Sequence, residues 1–221
     1  MVDFTSFARS CISVHAVCGS ITLLSGIVAI VTPKGGKIHR QAGIVFVIAL
    51  IMALIIASPQ ILVRKNDFLG FLTPFVAYMA LRGWIVIRTR RSKVFQKDSR
   101  THLILVLSAL LSGVGLIGMG FYRVFHGEPL MSFAGVYLGL GFLAVRLARQ
   151  DWQMMKSKNR PALLMRHATL MLGAFTAAVT AFSAVNFPTE IYPPILVWLT
   201  PPAVGTVAIA WWVQRLKRQT S

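Results

Sequence analysis

The sequence predicts an all-α membrane helix bundle with seven transmembrane helices, and three observations lead there. Hydrophobic residues make up 56% of the 221-residue chain and charged residues 13%. Apolar runs recur along it, each about 20 residues long and so able to cross a hydrocarbon core about 30 Å thick. The runs are continuous, as in IVFVIALIMALIIA from Ile44 to Ala57, whereas the strands of a membrane barrel would alternate apolar and polar positions. The expected spans are 8–31, 42–63, 68–88, 103–122, 132–148, 162–186 and 195–213. The connections between them are too short for a soluble domain, so residues 1–221 read as a single integral membrane domain.

The opening segment MVDFTSFARSC lacks the basic stretch of a cleavable signal, and the apolar run behind it is long enough to span, so the first helix is expected to be retained. Cys11, His15 and Cys18 follow i, i+4, i+7 spacing and share one face with Thr22 and Ser25. Seven helical residues separate the two cysteines by about 10.5 Å along the axis, too far for a disulfide or a shared zinc ion. With Gly19 and Gly26 they form a stripe of small residues suited to close helix contact in lipid. His15 remains as a titratable group that needs a partner.

The second span opens with KIHRQAG, which carries His39 and Arg40. The third contains Pro74 and Arg82 and ends in LRGWIVIRTRR; Arg82 is placed to snorkel to the membrane face or to hold an anion. The fourth opens with SRTHLIL, around His102, and contains GVGLIG, Gly113 to Gly118. That run matches a dinucleotide-binding fingerprint, but no strand precedes it, so helix packing is the expected role. The fifth and shortest span has the small pair Gly135 and Gly139; the sixth opens with LMRHATL, carrying Arg166 and His167. The seventh contains Pro201 and Pro202, expected to bend it as Pro74 bends the third.

Basic residues set the expected orientation. Segments 32–41, 88–101, 146–161 and 214–221 hold three, six, five and three of the chain's 23 lysines and arginines. The opposite side has Arg9, Arg64, Lys65 and Arg123, which puts the N-terminus outside and the C-terminus in the cytoplasm of a bacterial inner membrane. Trp84, Trp211 and Trp212 fall at inner ends and Tyr122 and Tyr192 at outer ends, as interfacial anchors do. The net charge of +17 is accounted for by this loop asymmetry. It favours membrane lipids, including anionic headgroups at the cytoplasmic face, and does not call for nucleic acid.

All six acids, Asp3, Asp67, Asp98, Glu128, Asp151 and Glu190, are assigned to tails and loops. Without a carboxylate at mid-membrane, a carboxylate-coupled transporter is not expected. No HExxH or GxSxG motif suggests hydrolysis. The histidines are more informative. His39, His102 and His167 open the three even spans, with Arg40, Arg100 and Arg166 within two residues of them. Each therefore brings a histidine, an arginine and a positive helix end to one membrane face, a combination that attracts anions such as haem propionates, phosphates or lipid headgroups. His15 and the loop residue His126 are the histidines of the other side.

A histidine in the first span, HRQAG opening the second, LRGWIVIRTRR ending the third and a histidine opening the fourth together resemble a family of predicted bacterial multi-pass membrane proteins of unknown function, over roughly residues 10–122. That resemblance implies a linked set of His15, His39, Arg40, Gly43 and His102. The histidine-bearing helices are also loosely similar to cytochrome b561-type electron carriers, in which paired histidines hold haem on each side of a bundle. Only His15 and His126 are available on the outer side, a departure from the two-haem pattern.

The leading expectation is a protein that binds b-type haem, or quinone, and passes electrons. Two of His39, His102 and His167 would be the inner ligands, Arg40, Arg82 and Arg166 would hold propionates, and His15 is the outer candidate. No other metal site is expected. The alternatives are a transporter or binding protein for a small anion or lipid, and a subunit that packs on another copy or another membrane protein through its glycine-rich spans.

Overall fold

The computed structural model describes residues 4–63, 65–88, 99–130, 132–154, 160–187 and 194–218. The described chain is all α-helix: α1 (Phe4–Val31), α2 (Lys37–Val63), α3 (Asp67–Arg88), α4 (Ser99–Phe125), α5 (Phe133–Met154), α6 (Arg160–Asn186) and α7 (Pro194–Arg218). Six of these, all but α5, are long and apolar enough to cross a membrane, so the chain is a multi-pass membrane protein. Arg64 and Tyr192, assigned above to the outer side, lie outside the described residues, as do segments 89–98 and 155–159.

Helix ends follow local chemistry. Pro33 cannot continue α1, and Gly35 at φ +78° turns the chain into α2. At the end of α4, Gly127 takes φ +89°, its N–H donates to Val124 O at 3.0 Å, and Glu128 N–H reaches back to Arg123 O at 3.0 Å. These bonds satisfy carbonyls the helix leaves open, and glycine adopts the left-handed conformation without a steric penalty. Asn66 caps α3 by accepting a bond from Leu69 N–H at 3.0 Å. Helices α2, α3 and α7 run on through Pro59, Pro74 and the Pro201–Pro202 pair.

Consecutive helices pack as α1 with α2, α4 with α5 and α6 with α7; α3 sits among them against α2, α4 and α6. The main core draws Phe46 and Leu50 from α2, Phe75 and Met79 from α3, Val106 from α4, Ala144 and Ala148 from α5, and Leu170 from α6. Large apolar side chains remain on the outside of α1, including Val17, Leu24 and Val31, as a lipid-facing surface requires.

The glycines show where helices come closest. A Cβ on Gly113 would lie 3.0 Å from Gly141 O, and one on Gly141 would lie 2.9 Å from Gly113 O, so α4 and α5 meet backbone to backbone there. Gly118 and Gly139 have open space instead. The packing role expected for GVGLIG therefore belongs to Gly113 and to Gly115, which abuts Phe71; the expected Gly135–Gly139 pair is not a helix contact, since Gly135 is hemmed in by Leu130 O of its own connection. On α1 the small-residue stripe is buried at Thr22, Ser25 and Gly26, where Gly26 faces Phe175 and Phe46. Cys11 and Cys18 are free thiols.

The placement of one acid also needs correction. Asp151, assigned to a basic loop, is in α5 and is 0% exposed. Buried α5 residues Tyr137, Gly141, Ala144, Ala148 and Asp151 recur at alternating steps of four and three, so the carboxylate continues the helix's buried face.

Candidate functional site

Two clusters of polar side chains meet at the end of the bundle where α1, α3 and α5 finish and α2, α4 and α6 begin. The first is a histidine pair. His39, in the first turn of α2, and His167, near the start of α6, have ring centroids 6.4 Å apart with planes at 79°. His39 Nδ1 lies 2.9 Å from Ala29 O of α1, and His167 Nδ1 lies 2.7 Å from Gly83 O of α3.

A carbonyl oxygen only accepts, so each Nδ1 must carry the proton. In the neutral ring Nε2 is then the lone-pair nitrogen of both side chains. Ala29 O is open because its helical partner would be the nitrogen of Pro33, which has no hydrogen. The Lys34 ammonium reaches the same carbonyl at 3.0 Å and also contacts Ile30 O. The end of α1 thus orients the ring of His39 through a carbonyl that it shares with Lys34.

The second cluster surrounds Asp151. Arg166 Nε donates to Asp151 Oδ1 at 2.8 Å, and the Tyr78 hydroxyl donates to Oδ2 at 2.6 Å. Arg166 Nη2 bonds Leu147 O at 2.6 Å and the Tyr78 oxygen at 2.9 Å, while Nη1 reaches Gln150 Oε1 at 2.9 Å. Arg82 Nε approaches Asp151 Oδ2 at 3.4 Å. Arg82 and Arg166 are 6% and 4% exposed. His102, beside Arg82 and Asp151, has a buried Nε2 with no hydrogen-bond partner among the described residues.

The expected inner histidines therefore separate: His39 and His167 come together, and His102 joins the ion cluster. Arg82 and Arg166, expected to hold an external anion, both converge on the Asp151 carboxylate. Arg40 is exposed, next to His39. His15, on α1, has Nδ1 3.0 Å from Ala53 O of α2, and His126 has Nδ1 2.7 Å from Tyr122 O of its own helix end. Among the described residues neither ring packs against another histidine.

Tyr78, Gln150 and Asp151 were not singled out in the sequence. The usable signal was register, because Asp151 falls on the apolar stripe of α5 and Arg82 on that of α3, with Phe75, Met79 and Val86. Among the described residues no three His, Cys, Asp or Glu side chains gather as a multi-ligand metal centre would require. No protein family, curated protein or solved structure matches this chain.

Proposed function

We propose that this is a bacterial inner-membrane protein that holds one b-type haem between His39 and His167 and passes electrons through it. The spacing of the two rings carries the reading. The two rings, one from α2 and one from α6, have centroids 6.4 Å apart, and with each Nδ1 engaged by a carbonyl their Nε2 atoms are the nitrogens that would bind a metal. Both rings also donate Nδ1–H to a backbone carbonyl, the outer bond that orients histidine ligands and raises their basicity. A two-histidine site suits a prosthetic group that supplies its remaining ligands itself, as haem does.

Haem, when bound, supplies a one-electron couple. The chain's residues do the rest: Ala29 O and Gly83 O hold the rings, α1 and α3 wall the site, and exposed Arg40 is free to compensate a propionate. Arg82 and Arg166 instead lock α3, α5 and α6 together through Asp151. Charge placement supports seven spans, α5 included, with the N-terminus outside and the histidine pair at the cytoplasmic face. At 22 residues, α5 is about 33 Å long, enough to cross.

The test is haem content and reduced-state spectra of alanine variants. Loss in His39→Ala and His167→Ala, with retention in His15→Ala and His102→Ala, fits the assignment. Loss confined to His102→Ala would overturn it.

A further inference from the structure

At the opposite end of the bundle a cavity of about 380 Å³ opens between the α2–α3 turn, the end of α4, the start of α5 and α7. Its lining includes Lys65, Asp67 and Arg123 beside the rings of Phe68, Tyr137 and Trp198. The rings form one block: Phe68 sits 5.0 Å from Tyr137 and 5.2 Å from Trp198, both edge to face. This gives the cavity a rigid apolar floor, and its volume falls within the usual range for small-ligand sites.

Two features mark the rim. Arg123 is oriented from two sides, with Nη1 on Glu128 Oε1 at 2.5 Å and its guanidinium carbon 5.1 Å from the centre of the Tyr137 ring. Its Nε is nevertheless buried with no hydrogen-bond partner among the described residues, a desolvated donor that lacks an acceptor. Lys65, which lines the cavity from the turn between α2 and α3, takes φ +48°, a left-handed conformation uncommon outside glycine and the short polar residues. Lys65 and Arg123 are the basic residues of the lining and Asp67, in the first turn of α3, is its acid, with Glu128 paired to Arg123 beside it.

We propose that this cavity binds an acid attached to an apolar body: the acidic group at Arg123 and Lys65, the body on the Phe68–Tyr137–Trp198 floor. A soluble aromatic carboxylate and an anionic phospholipid both have this chemistry. The site is separate from the histidine pair and does not depend on haem.

The test uses full-length protein in phosphatidylcholine nanodiscs, with naphthalene-2-carboxylate as probe and calorimetry as readout. One saturable site per chain is expected, with the neutral amide at least tenfold weaker. Arg123→Gln and Lys65→Gln should each weaken the acid at least threefold while helical circular dichroism is unchanged. Adding phosphatidylglycerol separates the sources: competition assigns the site to a lipid headgroup, and unchanged binding assigns it to a soluble acid. No saturable binding, equal binding of acid and amide, or wild-type affinity in Lys65→Gln overturns the proposal.

Discussion

Arg166 Nε lies 2.8 Å from Asp151 Oδ1, an ion pair that joins α6 to α5 where both side chains are shut away from solvent. The neighbouring residue, His167, turns toward Gly83 and His39 instead. Consecutive helical residues point about 100° apart, so one turn of α6 both locks the bundle and presents the proposed ligand.

Removing the carboxylate should therefore be costly. Asp151→Ala leaves two buried guanidinium groups without a counter-charge, a loss of about 3–5 kcal/mol. Tyr78→Phe removes the hydroxyl's bond to the same carboxylate and the one it accepts from Arg166 Nη2, about 1–3 kcal/mol. Thermal unfolding in detergent is expected to rank Asp151→Ala well below Tyr78→Phe, and Tyr78→Phe below wild type. A melting temperature unchanged in Asp151→Ala would contradict the cluster.

The α4–α5 contact makes a paired prediction. Gly113→Ala and Gly141→Ala each place a methyl group against backbone of the facing helix, and overpacking of this kind costs about 1–3 kcal/mol. Gly118→Ala and Gly139→Ala meet open space and should be neutral or slightly stabilising. The same unfolding assay separates the pairs, and equal effects in all four variants would exclude the close approach.

Topology is open to direct measurement. A reporter fused after Ser221 should read cytoplasmic, and one inserted after Gly127 should read external. The reverse pattern would undo the charge argument and move the histidine pair to the outer face.

Most of the helical architecture was legible because a 20-residue apolar run has few alternatives in a membrane chain. The faces bearing His39, His102 and His167 were legible too, since each opens an even helix. Their pairing was not. His39 and His167 are separated by 128 positions and are joined by the packing of α2, α3 and α6, while that of α3, α4 and α5 brings His102 to Arg82 instead. Asp151 was missed for a local reason. Arg146 and Arg149 make LARQDW read as a basic loop, although steps of three and four from Ala144 and Ala148 place the acid on the buried stripe.

Ligand replacement distinguishes coordination from folding. His167→Gly removes the ring and its bond to Gly83 O, but leaves His39 anchored to Ala29 O. Added imidazole should restore the haem spectrum in this variant and should have no effect in wild type. Failure to restore it in a variant of normal helicity would indicate that His167 is not a ligand.

The most direct measurement is the absorption spectrum of the wild-type protein, purified in mild detergent from haem-replete cells and recorded before and after dithionite. Haem held by His39 and His167 predicts a strong Soret band that sharpens and shifts on reduction, at one haem per chain. A colourless protein with intact helicity would contradict the account.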